Sequence, residues 1–267
     1  MRPVVAEPFF YHEFDPSPEL SGHLASFWGV EVRDVAQGHV HQVIPDGCAG
    51  IIASRRADGG ARLTLQGPRL DPLWIPVSEG DRFWGVRFWP DAGGAVVGVP
   101  ARTLLGTLQP ADPVFGPTTA SLASRLADCR NSEESRAVWE AALRPLVLRS
   151  GALDRLVRTA VLAIMASRGE APLGELASAV ALSPRQLQRR FSAAVGLSPK
   201  QFARVRRLRS ALQHLVSDSP MAWSAVAADL GFADQAHLIR EFVALAGATP
   251  VEVAQRLRHI GHGQVRP

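Results

Sequence analysis

Leu187-Gln188-Arg189-Arg190-Phe191 and Leu238-Ile239-Arg240-Glu241-Phe242 are one pattern written twice, Leu238 following Leu187 by 51 positions. The same offset carries Ala177 onto Ala228, Ser183 onto Asp234, Gly196 onto Gly247, Ser198 onto Thr249 and Pro199 onto Pro250. A repeat at this period marks a duplicated supersecondary unit. Each copy reads as helix, tight turn, helix.

In the first copy, Leu173 to Val180 predicts a helix with Leu176 and Val180 inward. Ser183 then caps a second helix, with Pro184 at its first position and Gln186 completing a Ser-x-x-Gln box. Leu187 and Phe191 share its inner face, which turns Arg185, Gln188, Arg189 and Ser192 outward together. Arginine can donate a bidentate pair to guanine and glutamine can read adenine in the major groove. A helix, a tight turn and such a face together suit DNA; seen alone, the face also fits ordinary solvation.

Gly196 closes that helix and Ser198-Pro199 opens the next, Lys200 to Val216. It presents Phe202, Val205, Leu208, Ala211, Leu212 and Leu215 inward, and Lys200, Arg204, Arg206, Arg207 and Arg209 outward, some of them toward phosphates. The second copy starts at Trp223, turns at Gly231 and is capped by Asp234. Leu238 and Phe242 anchor it; Gln235, Ala236, Ile239 and Arg240 face out. Ile239 suits a thymine methyl and Arg240 is the clear polar contact. A leading helix over Asp154–Arg168 and a last one from Thr249-Pro250 to Arg258 complete the set.

Charge follows the same division. Residues 1–150 hold 14 Arg against 17 Asp+Glu, and residues 151–267 hold 15 Lys+Arg against 8 Asp+Glu, so balances of −3 and +7 lie behind the net +4. Only the second half is poised for a polyanion, with nucleic acid the leading candidate and a solvated basic face the alternative. At 267 residues, 46% of them hydrophobic, the chain suits two domains. Cys48 and Cys129 are the only cysteines, too few for a disulfide scaffold or a four-thiolate zinc site, and they fit a reducing cytoplasm. Glu7, His12 and Glu13 stand where a signal peptide needs an apolar run, and no stretch approaches the ~20 apolar residues of a membrane span. No membrane partner is expected.

The first half is β-like up to about Val99, with strands expected in 27–32, 39–44, 50–53, 63–66, 73–77 and 82–89 and a turn at Pro45-Asp46-Gly47. This spacing indicates an antiparallel sandwich or barrel. Trp28, Trp74, Trp84, Trp89 and Trp139 are expected mostly in its core, with a ligand pocket as the other use of such residues. Short helices follow between Ala95 and Leu108, then amphipathic helices over Thr118–Cys129 and Ser132–Leu148, the last kinked or ended by Pro145. They suit a dimer interface and packing onto their own sheet equally.

His39 and His41 lie on one face of a strand, with Asp46 and Cys48 close behind and His12 and His23 ahead. This is similar in part to the His-x-His metal motif of cupins, but the carboxylate lies across a turn and the glycine spacing differs. Metal sensing through His39, His41 and Cys48 is one alternative function; ordinary hydrogen-bonded or exposed histidines are the plain reading.

Residues 152–260 resemble the DNA-binding domain of the AraC/XylS family of transcription regulators, which has two helix-turn-helix units joined by a long helix. The matching stretches are Glu175 to Ala177, Ser183 to Phe191, Gly196 to Pro199, Arg207 to Ala211, Ala227 to Phe232, Arg240 to Phe242 and Gly247 to Pro250. The resemblance implies an α+β chain: an N-terminal regulatory domain (1–148), a cupin-like antiparallel β sandwich or barrel with appended helices, and an all-α DNA-binding domain (152–260). It implies DNA contacts at Arg185, Gln188, Arg189, Gln235, Ala236, Ile239 and Arg240; the outer face of the first recognition helix adds Ser192, and the basic connecting helix adds Arg204 and Arg206. Ala236 and Ile239 depart from the polar residues usual there. The implied partners are double-stranded DNA, RNA polymerase, a small-molecule effector and a second copy of the chain; no cofactor and no enzymatic activity are implied. Residues 41–48 and 85–90 resemble an N-terminal module of some of these regulators. Certain relatives carry a DNA-repair methyl-acceptor cysteine with a four-cysteine zinc site. Cys48 would have to act here without that zinc cluster, which makes alkylation repair the second alternative.

Overall fold

The computed structural model describes residues 9–215 and 222–258. Its first half runs β1 (Phe9–Phe14), β2 (Leu24–Val32), β3 (Val40–Val43), β4 (Gly50–Arg55), β5 (Ala61–Gln66), β6 (Leu73–Pro76) and β7 (Arg82–Phe88). Then come α1 (Gly93–Val97), a 3₁₀ turn (Ala101–Leu104), β8 (Leu108–Pro110), α2 (Asp112–Phe115), α3 (Thr119–Ala127) and α4 (Ser132–Arg149).

Six strands form one antiparallel sheet in the order β1-β2-β7-β4-β5-β8, and β3 pairs with β6 in a second, two-stranded sheet. The period of two along a strand separates the faces of the large sheet. Ile51 and Ala53 of β4, Leu63 and Leu65 of β5, and Val86 and Phe88 of β7 point into the main core with Trp139 and Leu143 of α4. Ile52 and Thr64 point the other way, into a cavity walled on its far side by His41 and Ile75 of the small sheet. The appended helices therefore pack back onto their own sheet. Deletion of a residue from β4 would exchange these faces, because its apolar set would then meet the cavity.

The expected strands form, and two more join them. β1 and the short β8 became strands by pairing with β2 and β5, without a clear alternating pattern of their own. Pro145 does not end α4, which continues to Arg149. Trp84 and Trp139 are core, whereas Trp74 is 45% exposed.

The second half comprises α5 (Arg155–Ala166), α6 (Leu173–Ala179), α7 (Pro184–Val195), α8 (Pro199–Leu215), α9 (Trp223–Asp229), α10 (Gln235–Ala246) and α11 (Pro250–Arg258). The end of the expected α8 at Val216 lies outside the described residues. Two cores result: Leu187, Phe191 and Phe202 belong to the first, and Leu208, Leu238 and Phe242 to the second. Helix α8 supplies residues to both, as a connecting helix must.

The duplication is less uniform than a single offset of 51. Leu182 N donates to Ala177 O and Phe232 N to Ala227 O, each at 2.9 Å, so α6 and α9 correspond at an offset of 50. Ala177 thus matches Ala227, not Ala228, and the second turn holds one residue more. Both turns pass through the left-handed region, at Ala181 (φ 52°) and Gly231 (φ 64°). Only the second places there the residue without a Cβ penalty.

Candidate nucleic-acid interface

Helix α7 is set by its own sequence. Ser183 Oγ accepts from Gln186 N at 3.3 Å and Gln186 Oε1 accepts from Ser183 N at 2.9 Å, the reciprocal box expected of Ser-x-x-Gln. Gly196 closes it at φ 83°. Leu187, Phe191 and Val195 are buried, which leaves Arg185, Gln188 and Arg189 exposed and Ser192 half-buried on one outer face. Among the described residues neither Arg185 nor Arg189 takes part in an ion pair, whereas their neighbour Arg190 donates to Asp154 Oδ2 at 2.8 Å. That bond ties α7 to the N-cap of α5, since Asp154 also accepts from Leu156 N and Val157 N.

In the second unit Asp234 accepts from His237 N at 2.6 Å, and Gly247 ends α10 at φ 64°. Gln235, Ala236 and Arg240 are exposed. Ile239 is half-buried against the second core, so only part of its side chain faces outward.

The connecting helix departs most from expectation. Arg204 donates to Glu241 Oε2 of α10 at 2.7 Å and so braces the two units. Arg206 is 8% exposed and Arg209 6%, and both turn toward the first half, where they share a small cavity with Glu13, Asp46 and Arg87. Burial lowers the pKa of Arg206, and Arg206 Nε has no hydrogen-bond partner among the described residues. Arg206 is therefore not on a DNA-facing surface. The helix is amphipathic as read, but Arg206 and Arg209 of its basic side are covered by the β half. Arg207 lies over the Phe232 ring at 5.4 Å and Lys200 is exposed.

Both units are fastened to the first half. Arg158 of α5 donates from Nε to Asp91 Oδ1 and Oδ2 at 2.9 and 2.8 Å and from Nη2 to Gly22 O at 2.9 Å. Gln42 of β3 donates to Ala246 O and accepts from Arg256 Nη1 at 2.8 Å, while Arg256 lies over the Trp74 ring at 5.3 Å. These junction residues carried no sequence signal, because their partners lie more than 60 positions away.

The residues considered for other chemistry are placed differently. His41 is buried, with its pKa lowered to about 4 by desolvation and by His39; both histidines lie against the Phe9 ring. Among the described residues no group of three His, Cys, Asp or Glu is arranged to hold a metal ion, so His39, His41 and Cys48 do not converge on one. Burial and then Asp46 push the Cys48 thiol well up, away from the thiolate that an alkyl acceptor needs. Arg87 bridges Asp46 at 2.8 Å and Glu13 at 2.7 Å beneath it. Among the described residues no helix is long and apolar enough to cross a membrane.

Residues 176–256 match the family model of a helix-turn-helix domain, and residues 12–109 match that of a domain of unknown function (DUF6597). No curated protein matches. Similar solved structures include the C-terminal domain of AraT, a response regulator from Geobacillus stearothermophilus (21% identity, 40% of this chain and 89% of that one, TM-score 0.37). A probable AraC family transcriptional regulator from Rhodopseudomonas palustris CGA009 shares 28% identity over 39% of this chain and 97% of its own, with TM-score 0.35. ToxT from Vibrio cholerae O395 covers 94% of this chain and 98% of its own at 8% identity and TM-score 0.46. The helix-turn-helix match falls on the duplicated helices that carry the exposed arginines and glutamines, and the chain is a DNA-binding transcription regulator with a helix-turn-helix C-terminal domain.

Proposed function

We propose that residues 152–260 read operator DNA chiefly through Arg185, Gln188 and Arg189, with Ser192, Gln235, Ile239 and Arg240 in support, and that residues 1–148 regulate this reading. The observation that carries it is the outer face of α7, a capped helix with exposed arginines on either side of Gln188 that make no ion pair among the described residues. The two recognition helices would enter successive major grooves about 34 Å, or ~10 bp, apart. Mapping the bound sites in the source organism supplies the operator, and its symmetry tests the implied homodimer: inverted half-sites support a dimer and single sites oppose it. On that operator Arg189→Ala is expected to lower specific affinity by ~1–3 kcal/mol and relax one base position. Equal weakening on every sequence would reassign Arg189 to a phosphate. RNA polymerase as a further partner and a cytoplasmic setting follow from the resemblance. The reading is regulatory rather than enzymatic, as the suppressed Cys48 thiol supports.

The regulator would take a small, largely apolar effector in the cavity between the two sheets. That cavity has a volume of about 530 Å³, within the usual range for small-molecule sites, and Trp28, Ile52 and Trp74 are among its walls. Strand β3 offers the link to DNA. His41 faces the cavity, while the adjacent Gln42 holds Ala246 and Arg256 of the second unit. Trp74 likewise lines the cavity and carries Arg256 on its ring. Ile52→Trp, which fills the cavity, is expected to change operator affinity about fivefold or more in a titration. An unchanged affinity in a folded variant would show that the cavity is not coupled to the DNA face.

A further inference from the structure

The 3₁₀ turn of the first half, Ala101–Leu104, packs against α7 at its C-terminal end. The approach at Gly196 is so close that a Cβ there would stand 2.6 Å from Ala101 O. Gly196 therefore serves twice: it takes the left-handed conformation that ends α7, and it leaves room for this backbone. One consequence is the position of Arg102. It is exposed, and it lines the same open groove as Arg185, Gln188, Arg189 and Ser192.

The charges in this groove are all of one sign. Among the described residues Arg102, Arg185 and Arg189 make no ion pair, and no carboxylate lines the groove. Three arginines beside the groove's helix or its neighbours are held by carboxylates instead: Arg190 by Asp154, Arg204 by Glu241 and Arg158 by Asp91. Three unpaired guanidiniums around one groove repel one another in the free protein, and a polyanion removes that repulsion. Arg102 follows Ala101, whose carbonyl meets Gly196 at the C-terminal end of α7, so Arg102 enters the groove from that end. A side chain in that position meets the sugar-phosphate strand bordering the groove, not a base edge.

We infer that the first half contributes Arg102 to the DNA interface, as a phosphate contact flanking the major groove that α7 enters. The inference rests on the proposed reading of α7 as the DNA reader. It makes the N-terminal half part of the grip on DNA as well as its regulator. Docking of the 3₁₀ turn on α7 would then add a sequence-independent contact, and any effector that loosened the docking would remove it.

The test uses the full chain, a duplex drawn from its mapped sites and a random duplex of equal length, titrated at several salt concentrations. Arg102→Ala is expected to weaken both duplexes alike, on the order of three- to tenfold, and to reduce the salt slope by about 1. Arg102→Lys restores most of the affinity, because a phosphate needs charge rather than a planar fork. Arg189→Ala serves as the reference, weakening the operator more than the random duplex. If Arg189→Ala acts and Arg102→Ala changes neither affinity nor slope, Arg102 is only solvated and the inference fails alone. If neither acts, the reading of α7 fails first. Tighter binding by Arg102→Ala would mean that the 3₁₀ turn obstructs DNA, which also overturns the inference. Arg102 is exposed, so an unchanged thermal melt confirms that each result concerns binding.

Discussion

Phe191→Ala is expected to destabilise the first helix-turn-helix unit by about 3–5 kcal/mol, the usual penalty for emptying a fully buried aromatic site. Phe191 is 0% exposed and lies 5.8 Å, centroid to centroid, from Phe202 of α8. Val157, Ile164, Leu176 and Leu187 belong to the same core, which α5, α6, α7 and α8 share, so the lost ring weakens the packing of the whole unit. Those neighbours sit on helices whose ends are fixed by the Ser183 cap and by the Arg190–Asp154 bond, which limits collapse into the space. Phe202 also sits beneath the Pro45-Asp46-Gly47 turn: a Cβ on Gly47 would stand 2.8 Å from its ring. Damage at Phe191 therefore reaches the junction between the halves. Denaturant unfolding monitored by circular dichroism measures the loss, and a change under about 1 kcal/mol would contradict this account of the core. DNA should partly rescue the variant, since a ligand that binds only the folded state stabilises it.

Asp91→Ala is expected to destabilise the chain by about 3 kcal/mol, toward the lower end of the range for breaking a buried ion pair. The Asp91 side chain is 1% exposed and takes both its bonds from Arg158 Nε. Without it Arg158 stays beneath the first half with only Gly22 O and the Trp89 ring, whose centre is 5.3 Å from the guanidinium. Arg158 is 22% exposed, so water recovers part of the loss; hence the lower figure. Because the pair joins the halves, the variant should unfold its two halves less cooperatively than the parent does. A double-mutant cycle with Arg158→Ala isolates the pair. Strict additivity of the two single changes would show that the bond does not hold the halves together.

Much of the DNA-binding half was legible because its determinants are local. The Ser183–Gln186 box, the Asp234 cap and the glycines at 196 and 247 act within four residues of themselves, and each formed as read. The 3.6-residue period placed Leu187 and Phe191 inside and Arg185, Gln188 and Arg189 outside. The extra residue in the second turn was not legible. A uniform offset aligns identical alanines at 177 and 228, while the hydrogen bonds choose Ala227.

What the sequence by itself determined was the set of helices, their caps, their inner faces and the presence of a strand-rich first half. The tertiary structure alone decided which polar faces meet water. An amphipathic pattern separates apolar from polar positions, but it does not say whether the polar side faces solvent or another part of the chain. Arg204 found Glu241, and Arg206 and Arg209 went under the β half, because their surroundings come from residues tens to more than a hundred positions distant. The same long-range packing carried β1 and β8 into the sheet and set Arg102 beside α7. Helix ends depend on neighbours in the chain, and interfaces depend on neighbours in space.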